Sequence, residues 1–105
     1  MAVLINGNSY SAAEFFAAAL SEYNWAVTVG EPTTGKGYFQ NTLELMDGSA
    51  LYLSVGKYFT PNGVSLADVG GLVPDVPAAP GETVFTVEED PQIQAAIRAL
   101  TEQKQ

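Results

Sequence analysis

The spacing of apolar positions predicts a strand, a helix and a second strand in the first third of the chain. Residues 3–5 form a short apolar run that ends at a turn-forming sequence. Residues 12–23 are rich in Ala and carry apolar side chains at helical spacing. Glu14 stands three residues after Ser11, as in a capping box, so we expect the helix to begin there. Residues 26–29 are expected to form the second strand.

The middle of the chain has the pattern of a β-hairpin. Residues 38–46 tend to alternate between apolar and polar side chains, and residues 51–55 alternate again. Between them stands Asp47 followed by Gly48, a strong hairpin-turn sequence. We expect residues 58–60 to extend the returning strand.

The last third of the chain is predicted to be irregular at first and helical at its end. Residues 69–80 are rich in Gly and Pro, and residues 84–87 are expected to form a short strand. Asp90 and Pro91 suit the N-cap and the first position of a helix. The acidic run 88–90 is therefore interpreted as a solvated helix cap rather than a metal site. The expected apolar stripe of this helix is Ile93, Ala96, Ile97 and Leu100.

The order of these elements predicts an α/β fold, in which a βαβ unit is followed by an antiparallel hairpin and a C-terminal helix. A length of 105 residues suits one compact domain, which we expect to span residues 1–105. The chain enters a strand almost at once and lacks a basic leader, so we expect a fragment of a longer protein. The large aromatic residues are expected in the core: Phe15, Phe16, Trp25 and Phe39.

Composition removes several classes of function. Twelve acidic and four basic residues give a net charge of −8, which argues against binding nucleic acid or an anionic membrane. The chain has no Cys and no His, so it offers no thiol nucleophile, no Ser–His–Asp triad and no His-ligated zinc. For a nucleophilic serine, the bases that remain are carboxylates and lysines.

The glycine-rich loop 30–37 nearly matches a phosphate-binding P-loop. However, Gly37 stands where a magnesium-ligating hydroxyl is required, and a strand pattern follows where a helix should begin. Glu31 also adds negative charge at the place of the phosphate. Nucleotide binding is therefore disfavoured.

Ser11 and Lys36 are the candidates for nucleophilic catalysis. Ser11 lies at a predicted helix N-terminus, which favours developing negative charge. Lys36 lies on a glycine-rich loop, and a lysine can act as a base only if it is neutral, which burial in a dry pocket would favour. Taken singly, each residue has a simpler interpretation, because Ser11 can be a helix cap and Lys36 a solvated turn residue.

Several motifs in order resemble the C-terminal processing (tail-specific) serine proteases. Residues 11–14 read Ser-Ala-Ala-Glu, and residues 29–37 read Val-Gly-Glu-Pro-Thr-Thr-Gly-Lys-Gly, similar to the family's nucleophile and base segments. Gln40 matches the third member of the catalytic set. The likeness covers about residues 3–78 and includes three later landmarks: 47–51, 58–63 and 71–76.

The resemblance implies a fold, a reaction and a site. The fold is a Clp-protease/crotonase-like core, and the reaction is hydrolysis of peptide bonds near polypeptide C-termini through an acyl-enzyme. Ser11 is implied as the nucleophile, Lys36 as the general base and Gln40 as the residue that orients Lys36. The Ala12 backbone N–H is implied as an oxyanion-hole donor. No metal or organic cofactor is implied, and family members usually act outside the cytoplasm.

The chain also departs from the family pattern. Val64 stands where the family commonly has Arg, and Tyr10 replaces a small residue beside the nucleophile. We expect the family's PDZ module and a second oxyanion donor to lie upstream, and one lost donor costs about 100- to 1000-fold in rate. The isolated chain is therefore expected to be weakly active or inactive and to self-associate into a homo-oligomer through uncovered surface. A non-catalytic binding domain that kept the fold remains the alternative.

Overall fold

The computed structural model describes residues 1–83 and 86–103. It contains five strands, three α-helices and one 3₁₀ turn. In chain order these are β1 (Ala2–Ile5), α1 (Ala12–Glu22), β2 (Val27–Gly30), β3 (Tyr38–Glu44), β4 (Ala50–Lys57), α2 (Leu66–Val69), β5 (Val76–Pro77), the 3₁₀ turn (Val87–Glu89) and α3 (Pro91–Gln103).

A parallel sheet and an antiparallel hairpin make up the β structure, which confirms the predicted α/β class. The sheet has the strand order β1-β2-β5, and both of its pairings are parallel. Helix α1 connects β1 to β2, so these three elements form the predicted βαβ unit. Strands β3 and β4 pair with each other as the predicted hairpin. Because β1 ends at Ile5 and β2 at Gly30, the segments after both strands leave the same edge of the sheet.

Helix α3 begins as the sequence predicts. The Asp90 carboxylate accepts hydrogen bonds from Gln92 N–H at 2.9 Å and from Ile93 N–H at 3.2 Å. Pro91 occupies the first helical position, where a missing N–H costs nothing. Asp90 is therefore the N-cap of this helix.

Loss of this cap is expected to destabilise the chain measurably. Asp90→Ala leaves two backbone N–H groups without their acceptor and should lower the free energy of unfolding by about 1 kcal/mol. Urea denaturation of the chain measures the change, with Glu88→Ala as the matched control from the same acidic run. Equal unfolding midpoints for the two variants would remove the capping role from Asp90.

The core lies between α3 and the sheet, and it uses a different face of α3 from the predicted one. Buried Val29 packs with three alanines of the helix, Ala95, Ala96 and Ala99. Of the predicted stripe only Ala96 is buried, whereas Ile97 is 46% and Leu100 37% exposed. The prediction assigned the larger apolar side chains, such as Ile97 and Leu100, to the buried face. In the structure the alanines of α3 lie against the sheet instead.

The expectation that the aromatic residues lie in the core is also largely wrong. Trp25 is 70% and Phe16 69% exposed, and Phe39 is 37% exposed. The buried positions of α1 are instead Glu14, Ala17 and Ala18, which leaves Phe16 on another side of the helix. Phe15 is half-buried. The rings of Phe15 and Phe39 both pack near the Tyr58 ring, with centroid distances of 5.3 and 5.1 Å respectively.

The segments after the hairpin differ from the prediction in several places. Residues 58–60 do not extend β4, although Tyr58 N–H still donates to Gly37 O at 2.7 Å. The stretch 69–80 contains β5, a two-residue strand that depends on pairing with β2. Of the strand predicted at 84–87, the first two residues lie outside the described part of the chain. Val87 begins the 3₁₀ turn instead.

The hairpin projects from the rest of the molecule. Apart from Gln40 and Gly56, the residues of its two strands are exposed, apolar ones included. The radius of gyration is 17.2 Å, whereas a compact domain of this length has about 13 Å. In the part of the chain that the structure describes, no helix is both long enough and apolar enough to cross a membrane.

Candidate active site

Ser11 occupies a strained turn immediately before α1. Its backbone has φ 57° and ψ −124°, in the positive-φ region that non-glycine residues rarely adopt. Such a conformation costs roughly 1–3 kcal/mol and persists when surrounding contacts hold it. One of those contacts is the hydrogen bond from Ser11 N–H to Glu14 Oε2 at 2.8 Å, which is the return bond of the predicted capping box.

Lys36 lies on the loop that follows β2. Gly35 beside it has φ 86°, and a Cβ atom there would lie 2.8 Å from the Gly70 carbonyl carbon, so only glycine fits. The Lys36 backbone N–H donates to Glu14 Oε2 at 2.9 Å. The Lys36 side chain is exposed, and its Nζ lies 5.7 Å from the centroid of the Tyr10 ring. The expected burial of this amine is therefore not found in this structure.

The Glu14 carboxylate connects the serine turn with the lysine loop. Glu14 is fully buried, at 0% exposure. Its Oε2 accepts the N–H groups of Ser11 and Lys36, and its Oε1 accepts Thr33 Oγ–H at 2.5 Å and Gly35 N–H at 2.6 Å. A residue that the sequence indicated only as a helix cap thus binds the backbones of both candidate reacting residues.

Further hydrogen bonds hold the lysine loop against its neighbours. Thr34 N–H donates to Ser9 O at 3.0 Å, and Thr34 Oγ–H donates to Gly7 O at 2.7 Å. Thr33 is buried, and its Oγ accepts Leu72 N–H at 2.7 Å. The loop is therefore fixed on one side to the turn before Ser11 and on the other to the segment before β5.

The other two predicted site residues, Ala12 and Gln40, lie on α1 and β3. Ala12 is the first residue of α1, where N–H groups have no partner within the helix. The Ala12 N–H therefore has no acceptor within α1 and lies next to Ser11 in the chain. Gln40 lies on β3, and its Nε2 donates to Ser54 Oγ at 3.2 Å and to Tyr38 O at 3.4 Å.

The structure brings the backbones of the candidate residues together but not all of their side chains. Among the residues it describes, no hydrogen bond joins Ser11 Oγ to Lys36 Nζ, and none joins Gln40 to Lys36. The roles of these three side chains, and of the Ala12 N–H, therefore stay predictions. Tyr10, which replaces a small residue beside the nucleophile, places its ring near the Lys36 amine.

A second lysine near this loop is already paired. Lys57 Nζ donates to both Asp68 oxygens, at 2.8 and 3.1 Å. The hydrogen bond to Asp68 raises the pKa of Lys57 above its ordinary value, and the same bond lowers the pKa of Asp68. Lys57 is thus held in its charged form at the end of β4 and is a poor candidate for a base.

Within residues 1–83 and 86–103, no cluster of three metal-ligating side chains is found.

Comparisons with known proteins agree with the motifs. The sequence profile of Peptidase family S41 matches residues 1–78. A carboxyl-terminal-processing protease of Picosynechococcus sp. is 40% identical, over 97% of this chain and 25% of the relative. Carboxyl-terminal-processing peptidase 1, chloroplastic, of Arabidopsis thaliana is 45% identical over 70% of this chain and 15% of the relative.

A solved structure shares the fold. The structure of the photosystem II D1 C-terminal processing protease superposes with a TM-score of 0.70 at 33% identity, over 89% of this chain and 23% of that one. Fold and motifs are thus those of the C-terminal processing protease family. The chain belongs to peptidase family S41. It spans about 15 to 25% of the length of the curated relatives it matches.

Proposed function

We propose that this chain carries the nucleophile and the base of a serine endopeptidase that hydrolyses peptide bonds near polypeptide C-termini. The observation that supports this most directly is the hydrogen bonding of the Ser11 and Lys36 backbones to a single buried oxygen of Glu14. Two residues from distant parts of the chain are thereby held next to each other, as a nucleophile and its base must be. The names of the relatives support the choice of reaction.

In the proposed mechanism, neutral Lys36 removes the proton from Ser11 Oγ as that oxygen attacks the scissile carbonyl carbon. The Ala12 N–H stabilises the oxyanion, aided by the N-terminal end of α1. When the tetrahedral intermediate collapses, the Lys36 ammonium gives its proton to the leaving amine and the acyl group stays on Ser11. Water, deprotonated by Lys36, then releases the acyl group and restores the serine.

This mechanism requires that Lys36 be shielded from water during the reaction. The ammonium form is favoured in solvent, and desolvation lowers the pKa of a lysine. Since Lys36 is exposed in this structure, the shielding is assigned to the bound peptide or to chain outside these residues. Tyr10, whose ring centroid lies 5.7 Å from Lys36 Nζ, would form one wall of that environment.

The exposed lysine also supports a second candidate function, a peptide-binding domain that kept the fold without the chemistry. An amine that makes no hydrogen bond to Ser11 Oγ among the described residues is compatible with such a role. The two candidates differ in covalent chemistry, because a binding domain forms no acyl-serine. They can therefore be separated by trapping the nucleophile.

A serine-directed fluorophosphonate tests the proposal. We expect the full-length gene product to be labelled at one site, which peptide mapping by mass spectrometry should assign to residue Ser11. The reagent reacts with an activated serine and far more slowly with an ordinary hydroxyl. Labelling at Ser9, or labelling equally slow for the native and unfolded protein, would favour the binding domain.

The proposed role of Gln40 gives a separate prediction. Gln40→Ala in the full-length gene product is expected to lower kcat by about 10-fold, since it removes a group that orients the base. Unfolding temperature should change little, because the side chain lies on a strand of the projecting hairpin. Ser54→Ala, which removes a present partner of Gln40, is the control and should affect the rate less. A variant that loses stability but keeps its kcat would assign Gln40 a structural role.

The proposal includes where the protein acts and what it binds. The substrate is expected to be the C-terminal part of another polypeptide, with no nucleic acid partner and no cofactor. Relatives are named as chloroplastic or come from bacteria, and an extracytoplasmic location is proposed on that basis. Fractionation of cells that express the full-length gene product measures this directly, and a purely cytoplasmic signal would contradict it.

A further inference from the structure

The Glu14 carboxylate accepts four hydrogen bonds, two at each oxygen, and we call this arrangement the clamp. Oxygen Oε2 accepts the backbone N–H groups of Ser11 at 2.8 Å and Lys36 at 2.9 Å. Oxygen Oε1 accepts from Thr33 Oγ at 2.5 Å and from Gly35 N at 2.6 Å. The nucleophile and the base are thus tied to one atom, and the second atom holds the loop that carries the base.

An ionised carboxylate is suited to this position. It accepts hydrogen bonds at both oxygens and donates none, so four donors can be satisfied at once. Hydrogen bonds to an ionised acceptor are roughly twice as strong as neutral ones. Buried charge is costly without such partners, and no ion pair to Glu14 is found among residues 1–83 and 86–103. The four donors and the N-terminus of α1 supply the compensation.

The clamp also holds two positive-φ positions, of which Ser11 is the strained one. Ser11 at φ 57° and Gly35 at φ 86° each donate an N–H to Glu14. A strained turn relaxes when its contacts are removed, and the two turns belong to separate segments of the chain. Thr34 also joins these segments through its hydrogen bonds to Ser9 O and Gly7 O, but neither bond involves Ser11 or Lys36 itself.

We infer that Glu14 is a positioning residue for catalysis, whose carboxylate sets the separation of Ser11 and Lys36. This inference rests on the proposed function. Glu14 acts through the two backbones and does not itself contact the substrate. A misplacement of reacting groups by about 1 Å can cost about 100-fold in rate, so a clamp on both backbones affects kcat rather than substrate binding.

Glu14→Gln in the full-length gene product tests the inference. The amide keeps the size of the side chain but replaces one acceptor oxygen with an NH₂ donor, so that whichever oxygen is replaced, two donors lose their acceptor. We expect kcat on a peptide substrate to fall about 100-fold, with KM within about twofold of the wild-type value. Fluorophosphonate labelling of Ser11 should slow by a similar factor.

Asp75→Asn is the control for a purely structural effect. Asp75 accepts three hydrogen bonds, from Thr28 N, Thr28 Oγ and Ser21 Oγ, and so ties the far end of α1 to β2. Ser21 lies ten residues beyond Ser11 along the helix, a distance of about 15 Å. This variant is expected to lower the unfolding temperature while kcat stays within about twofold.

Thr33 provides a second and milder test, which remains informative if Glu14→Gln does not fold. Thr33→Val removes the hydroxyl, and with it both the donor to Glu14 and the acceptor of Leu72 N–H, and is expected to lower kcat about 10-fold with KM unchanged. Thr33→Ser keeps the hydroxyl and should restore most of the rate. Rescue by serine distinguishes the hydrogen bonds of the hydroxyl from the packing of the threonine methyl group.

The outcomes separate this inference from the proposed function. If Glu14→Gln and Thr33→Val lower kcat no more than Asp75→Asn does, or raise KM alone, the positioning role is overturned. If Ser11→Ala and Lys36→Ala are inactive in the same assay, the proposed function stands even so. A loss of kcat in Glu14→Gln together with rescue by Thr33→Ser supports the clamp.

Discussion

Replacement of Ser11 by alanine in the full-length gene product is expected to lower kcat by about 10⁴-fold or more. The hydroxyl forms the acyl bond in the proposed mechanism, so its removal takes away the nucleophile. The fold should survive, because the Ser11 backbone N–H donates to Glu14 and its C=O accepts from the first turn of α1, and alanine keeps both groups. Initial rates on a peptide with a labelled C-terminus measure the loss, and thermal unfolding shows that the variant is folded.

Ser9 supplies a matched control for this experiment. It lies in the same turn, and its Oγ accepts Asn6 N–H at 3.1 Å, so its hydroxyl already has a local structural role. Ser9→Ala is expected to keep kcat within about threefold. Hydrolysis by Ser11→Ala at a rate close to that of Ser9→Ala would remove Ser11 from the mechanism.

Substitution of Lys36 is expected to have the second-largest effect. Lys36→Ala removes the base that accepts the serine proton, and we expect kcat to fall about 10³-fold or more. Lys36→Arg should be nearly as inactive, because a guanidinium keeps the positive charge but does not deprotonate in proteins. The arginine variant therefore separates a base from a charge that only attracts the substrate.

Lys57 is the matched control for the lysine substitutions. It lies at the end of β4, and Asp68 holds it in its charged form through a hydrogen bond that raises its pKa. Lys57→Arg can keep this ion pair and should leave kcat within about twofold. Substantial activity in Lys36→Arg would contradict the base assignment and leave Lys36 with an electrostatic role.

Local sequence features predicted the elements of this fold well. The cap of α3 depends on Asp90 and Pro91, which are adjacent, and the hairpin turn depends on Asp47 and Gly48, which are also adjacent. Such signals act within a few residues and need no knowledge of the rest of the chain. Strand β5 was missed because its two residues are held by pairing with β2 and carry no pattern of their own.

The burial of side chains was harder to predict than the elements. Trp25 and Phe16 are large and apolar, yet they are mostly exposed, whereas the alanines of α3 lie against the sheet. Size and hydrophobicity alone do not say which face of a helix meets its neighbour. That face is set by the positions of α1 and α3 against β2, which is tertiary information.

The central role of Glu14 could be predicted only in part. Its position three residues after Ser11 indicated the hydrogen bond to the Ser11 N–H, and that bond is present. Its contacts with the loop of Lys36 arise because β1 and β2 are parallel neighbours, so that the segments after them meet at one edge. A glutamate predicted on the buried face of a helix is the signal that would have pointed to it.

The most direct test is a structure of the full-length gene product with a peptide bound across Ser11. We expect Ser11 Oγ and Lys36 Nζ to lie about 3 Å apart, within reach of proton transfer, with the peptide or neighbouring chain excluding water from the amine. A bound peptide with Lys36 Nζ still in solvent, or pointing away from Ser11, would show that these two residues do not act as nucleophile and base.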